Sequence, residues 1–219
     1  MRRGAPARGA ALVVALSLAC LADAQTTDEK QEKEPVYKFG TTVVVPTGLR
    51  GQIYFIRKGT EWLPDFRKLK PVGAIYTTSL NVPPQAFDQG FPGVTKRFEW
   101  FAIDYTGRFW VAAAGLHRFS LMSDDGSKLF IDDDLVIEND GVHPPHEQAG
   151  QIELAAGIHR MRVQYFQGPR MSVALVLRVA RPGERRLRVF STDEFKPPPD
   201  IDIGVQPVED EKSKGRKKK

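Results

Sequence analysis

No segment of the chain sustains a 3.6-residue apolar period; it breaks instead into short runs of β-branched and aromatic residues, each closed by Gly, Asp or Pro. The runs are "YKFGTTVVVP", "GQIYFIR", "RFEWFAIDY", "GRFWVAAA", "HRFSLMS", "SKLFID", "LVIEN", "QIELAAG", "HRMRVQYF" and "MSVALVLRVA". In "HRMRVQYF" the alternation puts His159, Met161, Val163 and Tyr165 on one face and Arg160, Arg162, Gln164 and Phe166 on the other, which describes a strand with one wet side. Many such strands in series predict an all-β chain, an antiparallel β-sandwich or barrel. Thr106-Gly107 reads as the break between two strands. "GTEWLPDFRKLK" has room for one short helix, cut by Pro64. The Pro/Gly-rich stretch 77–97 reads as one long surface loop, the kind that often carries function.

The two ends differ from this middle. Arg2, Arg3 and Arg8 precede an apolar run at 10–21, too short to span a bilayer as a mature helix, and Ala22-Asp23-Ala24 offers small residues for cleavage. Residues 1–24 therefore read as an export signal, which sends the mature chain to the periplasm, cell surface or exterior with no transmembrane segment. Lipid anchoring at Cys20, the only cysteine, is the less favoured processing route because Leu18 stands where a small residue is preferred. Residues 25–36 form a polar linker, 37–195 the β-domain, and 196–219 a Pro-rich and then Lys-rich tail. Both termini are expected to be disordered. The net charge of +5 belongs to these ends: the signal carries +2 and residues 212–219 carry six basic residues, leaving 25–211 at about −3. The basic run is a solvated end or a contact for polyanions. An exported chain has no call for nucleic acid, so a surface polyanion is the better partner.

Chemistry concentrates in "LMSDDGSKLFIDDDLVIEND", residues 121–140. Asp124-Asp125-Gly126 suits a hairpin turn, since glycine accepts positive φ and aspartate bonds its own backbone; two adjacent carboxylates also suit a hard cation. The residues alone leave both readings open. Asp132-Asp133-Asp134 reads as an ordinary turn, and the EF-hand order is missing. In "DGVHPPHE", His143, His146 and Glu147 have zinc-binding chemistry, but two prolines hold the loop extended and a remote third ligand would be required. Trp100 and Trp110 fall in strands and read as core. Trp62, in a less regular segment, is the better platform for a stacked ligand. No Gly-x-Ser-x-Gly elbow, P-loop or mature cysteine nucleophile is present, so the chain reads as non-catalytic.

The order "FEWFAIDY", "GRFWVAAAGLHRFSL", "SDDGSKLFIDDDLVIEND", "GQIELAAGIHRMRVQYFQG" and "SVALVLRV" resembles the PA-14 domain, named after the protective antigen of a bacterial toxin. The match is to a single-domain, secreted bacterial member. The resemblance implies a β-sandwich or barrel-like domain and, often, carbohydrate binding. In sugar-binding members two adjacent aspartates flank a cis peptide and hold calcium, which in turn holds sugar hydroxyls. By motif match these are Asp124 and Asp125, with glycan or cell-surface polysaccharide as partner. Asn139, Asp140 and His143, after the "LVIE" strand, are candidate ligand-binding residues with Trp62. The chain departs from the adhesin pattern in lacking cysteines to brace the sugar loops. The alternative is a structural or protein-interaction module of a cell-envelope assembly, in which the aspartate pair only fixes a turn.

Overall fold

The alternation of "HRMRVQYF" is realised as far as Gln164, while Phe166, expected on the wet side, is buried in a second apolar cluster. His159, Met161, Val163 and Tyr165 are buried, while Arg160 is exposed and Arg162 and Gln164 lie half-buried. The computed structural model describes the backbone of Tyr37–Lys38 and residues 48–197. The expected export signal and 25–36 linker, Cys20 and the Lys-rich tail lie outside the described residues.

Twelve strands follow in chain order: β1 (Tyr37–Lys38), β2 (Leu49–Phe55), β3 (Gly73–Thr77), β4 (Asn81–Ala86), β5 (Phe101–Val111), β6 (Gly115–Asp124), β7 (Ser127–Ile131), β8 (Asp134–Asn139), β9 (His146–Leu154), β10 (Gly157–Gln167), β11 (Ser172–Ala180) and β12 (Arg188–Val189). One sheet has the order β1-β3-β2-β5-β10-β7-β8. The other runs β12-β11-β6-β9, with β4 also paired to β11. Every pairing is antiparallel except β1 with β3. The fold is the expected antiparallel sandwich.

The inner faces meet through Phe101, Ile103, Tyr105 and Phe109 of β5, Val163 and Tyr165 of β10, and Phe119, Leu121, Leu175 and Leu177 of the second sheet. Full burial of side chains of this size is worth roughly 1.5–3 kcal/mol each. With no cysteine after residue 20, this core holds the sandwich without disulfides. A smaller cluster of Tyr54, Ile56, Phe66, Ala102 and Phe166 lies outside the first sheet, with Leu63, Leu69 and Trp100 against it. It clamps the irregular segment 56–69 to the sheet and so fixes Trp62. The helix expected in this segment is a single 3₁₀ turn, Phe66–Lys68, capped by the Asp65 carboxylate on the Arg67 N–H.

Three boundaries differ from the sequence reading. Thr106-Gly107 does not break a strand, and β5 runs through it. Glycine is required there because a Cβ would stand 2.7 Å from the Leu49 side chain and 3.2 Å from the Gly48 carbonyl oxygen. Stretch 77–97 is not one loop: it contains β4, paired with β11, and a 3₁₀ turn at Phe87–Gln89. The β4 ladder shifts register between Val173 and Leu175, which leaves Pro83 and Pro84 at the irregularity, where no N–H is needed. Strand β9 starts at His146, inside the "DGVHPPHE" segment expected to be a loop. Asp132-Asp133 is the expected turn, with φ of 51° and 77°. Its acids are spent on β10: Asp132 accepts from the Arg160 N–H at 2.8 Å and lies 2.5 Å from His159 Nδ1, and Asp133 pairs with Arg160.

Candidate functional site

Asp124 ends β6 and Asp125 precedes β7, so one short crossing joins the two sheets. The peptide between the aspartates is cis. Their exposures are 4% and 3%, against which most surface acids of the chain are open to solvent. Gly126 is pressed between the Phe166 ring and Asp140, where a Cβ would meet both within 2.8 Å.

Donors converge on the pair from two directions. Ser172 Oγ, at the start of β11, donates to Asp124 Oδ2 at 2.5 Å. The Gly168 N–H donates to Asp125 Oδ2 at 2.7 Å, and the His143 N–H to Asp125 Oδ1 at 3.2 Å. The Tyr165 hydroxyl lies 2.7 Å from both the Asp124 carbonyl oxygen and Gln167 Oε1. Burial pushes the Asp125 carboxyl up to about 6, with the Asp124 charge adding to the shift and the Gly168 and His143 N–H groups opposing it. Burial also raises Asp124, against the Ser172 hydroxyl and the His143 ring.

Charge balance separates this pair from the other buried or half-buried acids. Asp104 has Arg162, Asp140 has Lys128 and Asp132 has His159. Among the described residues neither Asp124 nor Asp125 forms an ion pair with Lys, Arg or His. Two adjacent buried carboxylates without a countercharge fit the anionic half of a hard-cation site, because each oxygen that accepts one N–H keeps a lone pair for a cation. No third His, Cys, Asp or Glu joins them in a metal-ligating group among the described residues. The remaining donors would be neutral oxygens.

The four other candidates line one open cleft of about 490 Å³, together with Glu138, Pro144, Pro145, His146 and Gln148. The aspartate pair does not line it, and His143 links the two places. Trp62 is one wall, 62% exposed, with its ring over Gly141, where a Cβ would stand 3.4 Å away. Asp140 is the fastener: its Oδ1 accepts from the Leu63 and Gly141 N–H groups at 2.8 and 2.9 Å, and its Oδ2 pairs with Lys128 at 3.1 Å. Asn139 is buried and ties three strands, donating to Ser123 Oγ and the His146 carbonyl and facing His146 Nδ1, each at 3.0 Å. The His143 ring sits between the Asn139 and Pro144 carbonyl oxygens, at 3.1 and 2.9 Å. Glu147, the third zinc candidate of the sequence, bonds Ser120 and Arg178 instead of joining the histidines.

Ser172, Gly168 and Tyr165 were not legible as partners of the aspartates. They stand more than forty residues away in sequence. The one available signal was "QGPR" between two strands, which announces a turn and nothing about what it faces.

An antiparallel two-sheet sandwich that crosses between its sheets through a buried Asp-Asp pair defines a class of all-β domain. A PA14 domain family model matches residues 59–187, and the chain belongs to the PA14 family. Among solved structures it is similar to the PA14 sugar-binding domain from an RTX adhesin (16% identity, 67% of this chain and 96% of that one, TM-score 0.55). It is similar to the epithelial adhesin 9 A domain from Candida glabrata in complex with Galβ1-3GlcNAc (12% identity, 68% and 88%, TM-score 0.50). A third is an anti-sigma factor domain-containing protein (18% identity, 71% and 50%, TM-score 0.55), of which this chain spans about half the length. At these identities the likeness is one of fold. No curated protein matches the chain significantly. Among the described residues no helix is long and apolar enough to cross a membrane.

Proposed function

We propose that this protein is an exported, non-catalytic module that binds carbohydrate on cell-surface glycan or polysaccharide through a calcium ion held by Asp124 and Asp125. The observation that carries the reading is the buried carboxylate pair without a countercharge in a chain of the PA14 family. Two neighbours named for sugar binding or solved with a disaccharide support the ligand class. Calcium takes six to eight oxygens at tolerant geometry, and it would offer open positions to vicinal hydroxyls. The chain's own residues do the rest. Ser172 orients the Asp124 carboxylate, and the Gly168 and His143 N–H groups orient that of Asp125. Trp62, Asn139, Asp140 and His143 shape the adjoining cleft, with the Trp62 ring offered to an apolar sugar face. The basic run at 212–219 would add contact with polyanions, and nucleic acid is not among the proposed partners.

The test is calorimetric titration of calcium, followed by a glycan array with and without chelator. Calcium binding near or below millimolar, lost in Asp124→Asn and Asp125→Asn, together with chelator-sensitive glycan signals, is the expected result. A folded wild type that takes up no calcium at millimolar concentration would sink the reading. A second reading, a structural or protein-interaction module, is favoured by one observation: both oxygens of Asp125 already accept backbone N–H bonds, which suits a turn fixed for its own sake. Under it, the same substitutions lower stability and leave calcium uptake absent throughout.

A further inference from the structure

Asp140 lines the cleft, yet its carboxylate is committed to the protein. Oδ1 accepts from both the Leu63 and Gly141 N–H groups, at 2.8 and 2.9 Å, which uses both of its lone pairs. Oδ2 holds the Lys128 ammonium at 3.1 Å, and Lys128 is itself anchored by Glu138 at 3.0 Å. The Asp140 side chain is only 9% exposed. It is also wedged against the aspartate turn, since a Cβ on Gly126 would stand 2.8 Å from Oδ1. Asp125 differs: each of its oxygens accepts one N–H, and no cation of the chain pairs with it among the described residues.

What Asp140 holds is the aromatic wall of the cleft. Trp62 belongs to segment 56–69, whose one regular element is the 3₁₀ turn Phe66–Lys68. Leu63 packs against the second apolar cluster, but the Trp62 ring stays 62% exposed and rests on Gly141. Apolar contact is non-directional, so packing of Leu63 alone does not fix which way its neighbour faces. Thr60 closes a turn on the Arg57 carbonyl oxygen, which shapes 57–60 internally. The Leu63 N–H bond supplies the direction. It spans 77 residues of sequence and joins the residue after Trp62 to the residue before Gly141. The backbone behind the ring and the glycine beneath it therefore hang on one oxygen atom.

We propose that Asp140 is the positioning residue of this cleft: it sets the Trp62 ring as the wall on which a sugar stacks, and it touches no ligand itself. The consequence for binding rests on the glycan reading above, whereas the placement of Trp62 does not. A ring already held in place spares the ligand the entropy of ordering it. Binding then depends on Oδ1 as an acceptor and not on the carboxylate charge. Asparagine keeps that oxygen and alanine loses it, so the two substitutions separate position from charge.

The test labels the full chain with 5-fluorotryptophan and records its fluorine spectrum in chelator, with the Trp62 line assigned by Trp62→Phe. Asp140→Ala should shift and broaden the Trp62 line while those of Trp100 and Trp110 stay in place. Asp140→Asn should return it to the wild-type position. Wild type gives a second reading that needs no variant: the Leu63 amide should exchange at least about tenfold more slowly than an open chain allows. In calcium, the array glycan that wild type retains most strongly should bind Asp140→Ala about tenfold more weakly and Asp140→Asn within about twofold. The proposal is overturned if Asp140→Ala leaves the Trp62 line unmoved, or disturbs Trp100 and Trp110 equally, which would mean a loosened fold. It is also overturned if Asp140→Asn fails as the alanine variant does, if the Leu63 amide exchanges freely, or if Asp140→Ala loses calcium along with glycan. A wild type that takes up no calcium would sink the glycan reading alone, because the fluorine lines are read without metal.

Discussion

Asp125 accepts two backbone N–H bonds and still sits with its carboxyl pushed up to about 6, because burial and the Asp124 charge outweigh those donors. The folded chain therefore holds a proton there more tightly than the unfolded chain, where the ordinary value is 3.8. In the absence of metal this group's contribution is greatest below about pH 4 and is lost as pH rises through 6, a difference of up to about 3 kcal/mol. Asp132 runs the other way. Burial raises it, but the Arg160 N–H and His159 win and hold it below the usual range, so its contribution is lost on acidification. The two are separated by difference. Urea unfolding in chelator at pH 5 and pH 7 should show wild type losing stability relative to Asp125→Asn as pH rises. A parallel pair of pH profiles would mean that the carboxyl is ionised in the fold at little cost. At this scale the sequence was informative about identity and silent about surroundings. The adjacent aspartates stood out in the motif, whereas the donors that orient them arrive from β11 and from the turn after β10, where only the completed ladders bring them near.

Strand β8 of one sheet and strand β9 of the other cross closely at the corner that forms the cleft, and Gly150 is the reason they can. A Cβ there would stand 2.2 Å from the Val136 carbonyl oxygen and 2.8 Å from the Ile137 side chain. Backbone cannot step aside as a flexible side chain can, so Gly150→Ala should cost about 3 kcal/mol or more, or splay β9 away from β8. Thermal unfolding, with Gly157→Ala as the comparison, reads the difference: Gly157 has φ +136° and open space, so it reports the penalty of backbone conformation alone. A Gly150→Ala loss no larger than that of Gly157→Ala would show that the crossing is loose. Element existence was legible from period-two alternation in β10, where burial of one face writes it directly, and from a continuous apolar run in β11, which is buried on both faces. Element limits were not. Thr106-Gly107 has the composition of a turn, yet its glycine serves the close approach of Leu49, a neighbour in another strand. Pro83-Pro84 has the composition of a loop, yet it fits a strand at a register shift. Both depend on what lies across the ladder, which local composition does not encode.

The molecule as a whole has no disulfide available after residue 20, so its stability rests on one sandwich core and on whatever neutralises the acids at its end. A cation that binds the folded aspartate pair and not the unfolded chain must raise the melting temperature with the logarithm of its concentration. At a hundred times the dissociation constant the gain is about 2.7 kcal/mol, which for a domain of this size is roughly 5–11 °C. Calcium should produce that rise. Magnesium should produce much less, since it demands near-ideal octahedral geometry, and two carboxylates already tethered by Ser172, Gly168 and His143 are poorly placed to rearrange. Asp124→Asn and Asp125→Asn should abolish the calcium response.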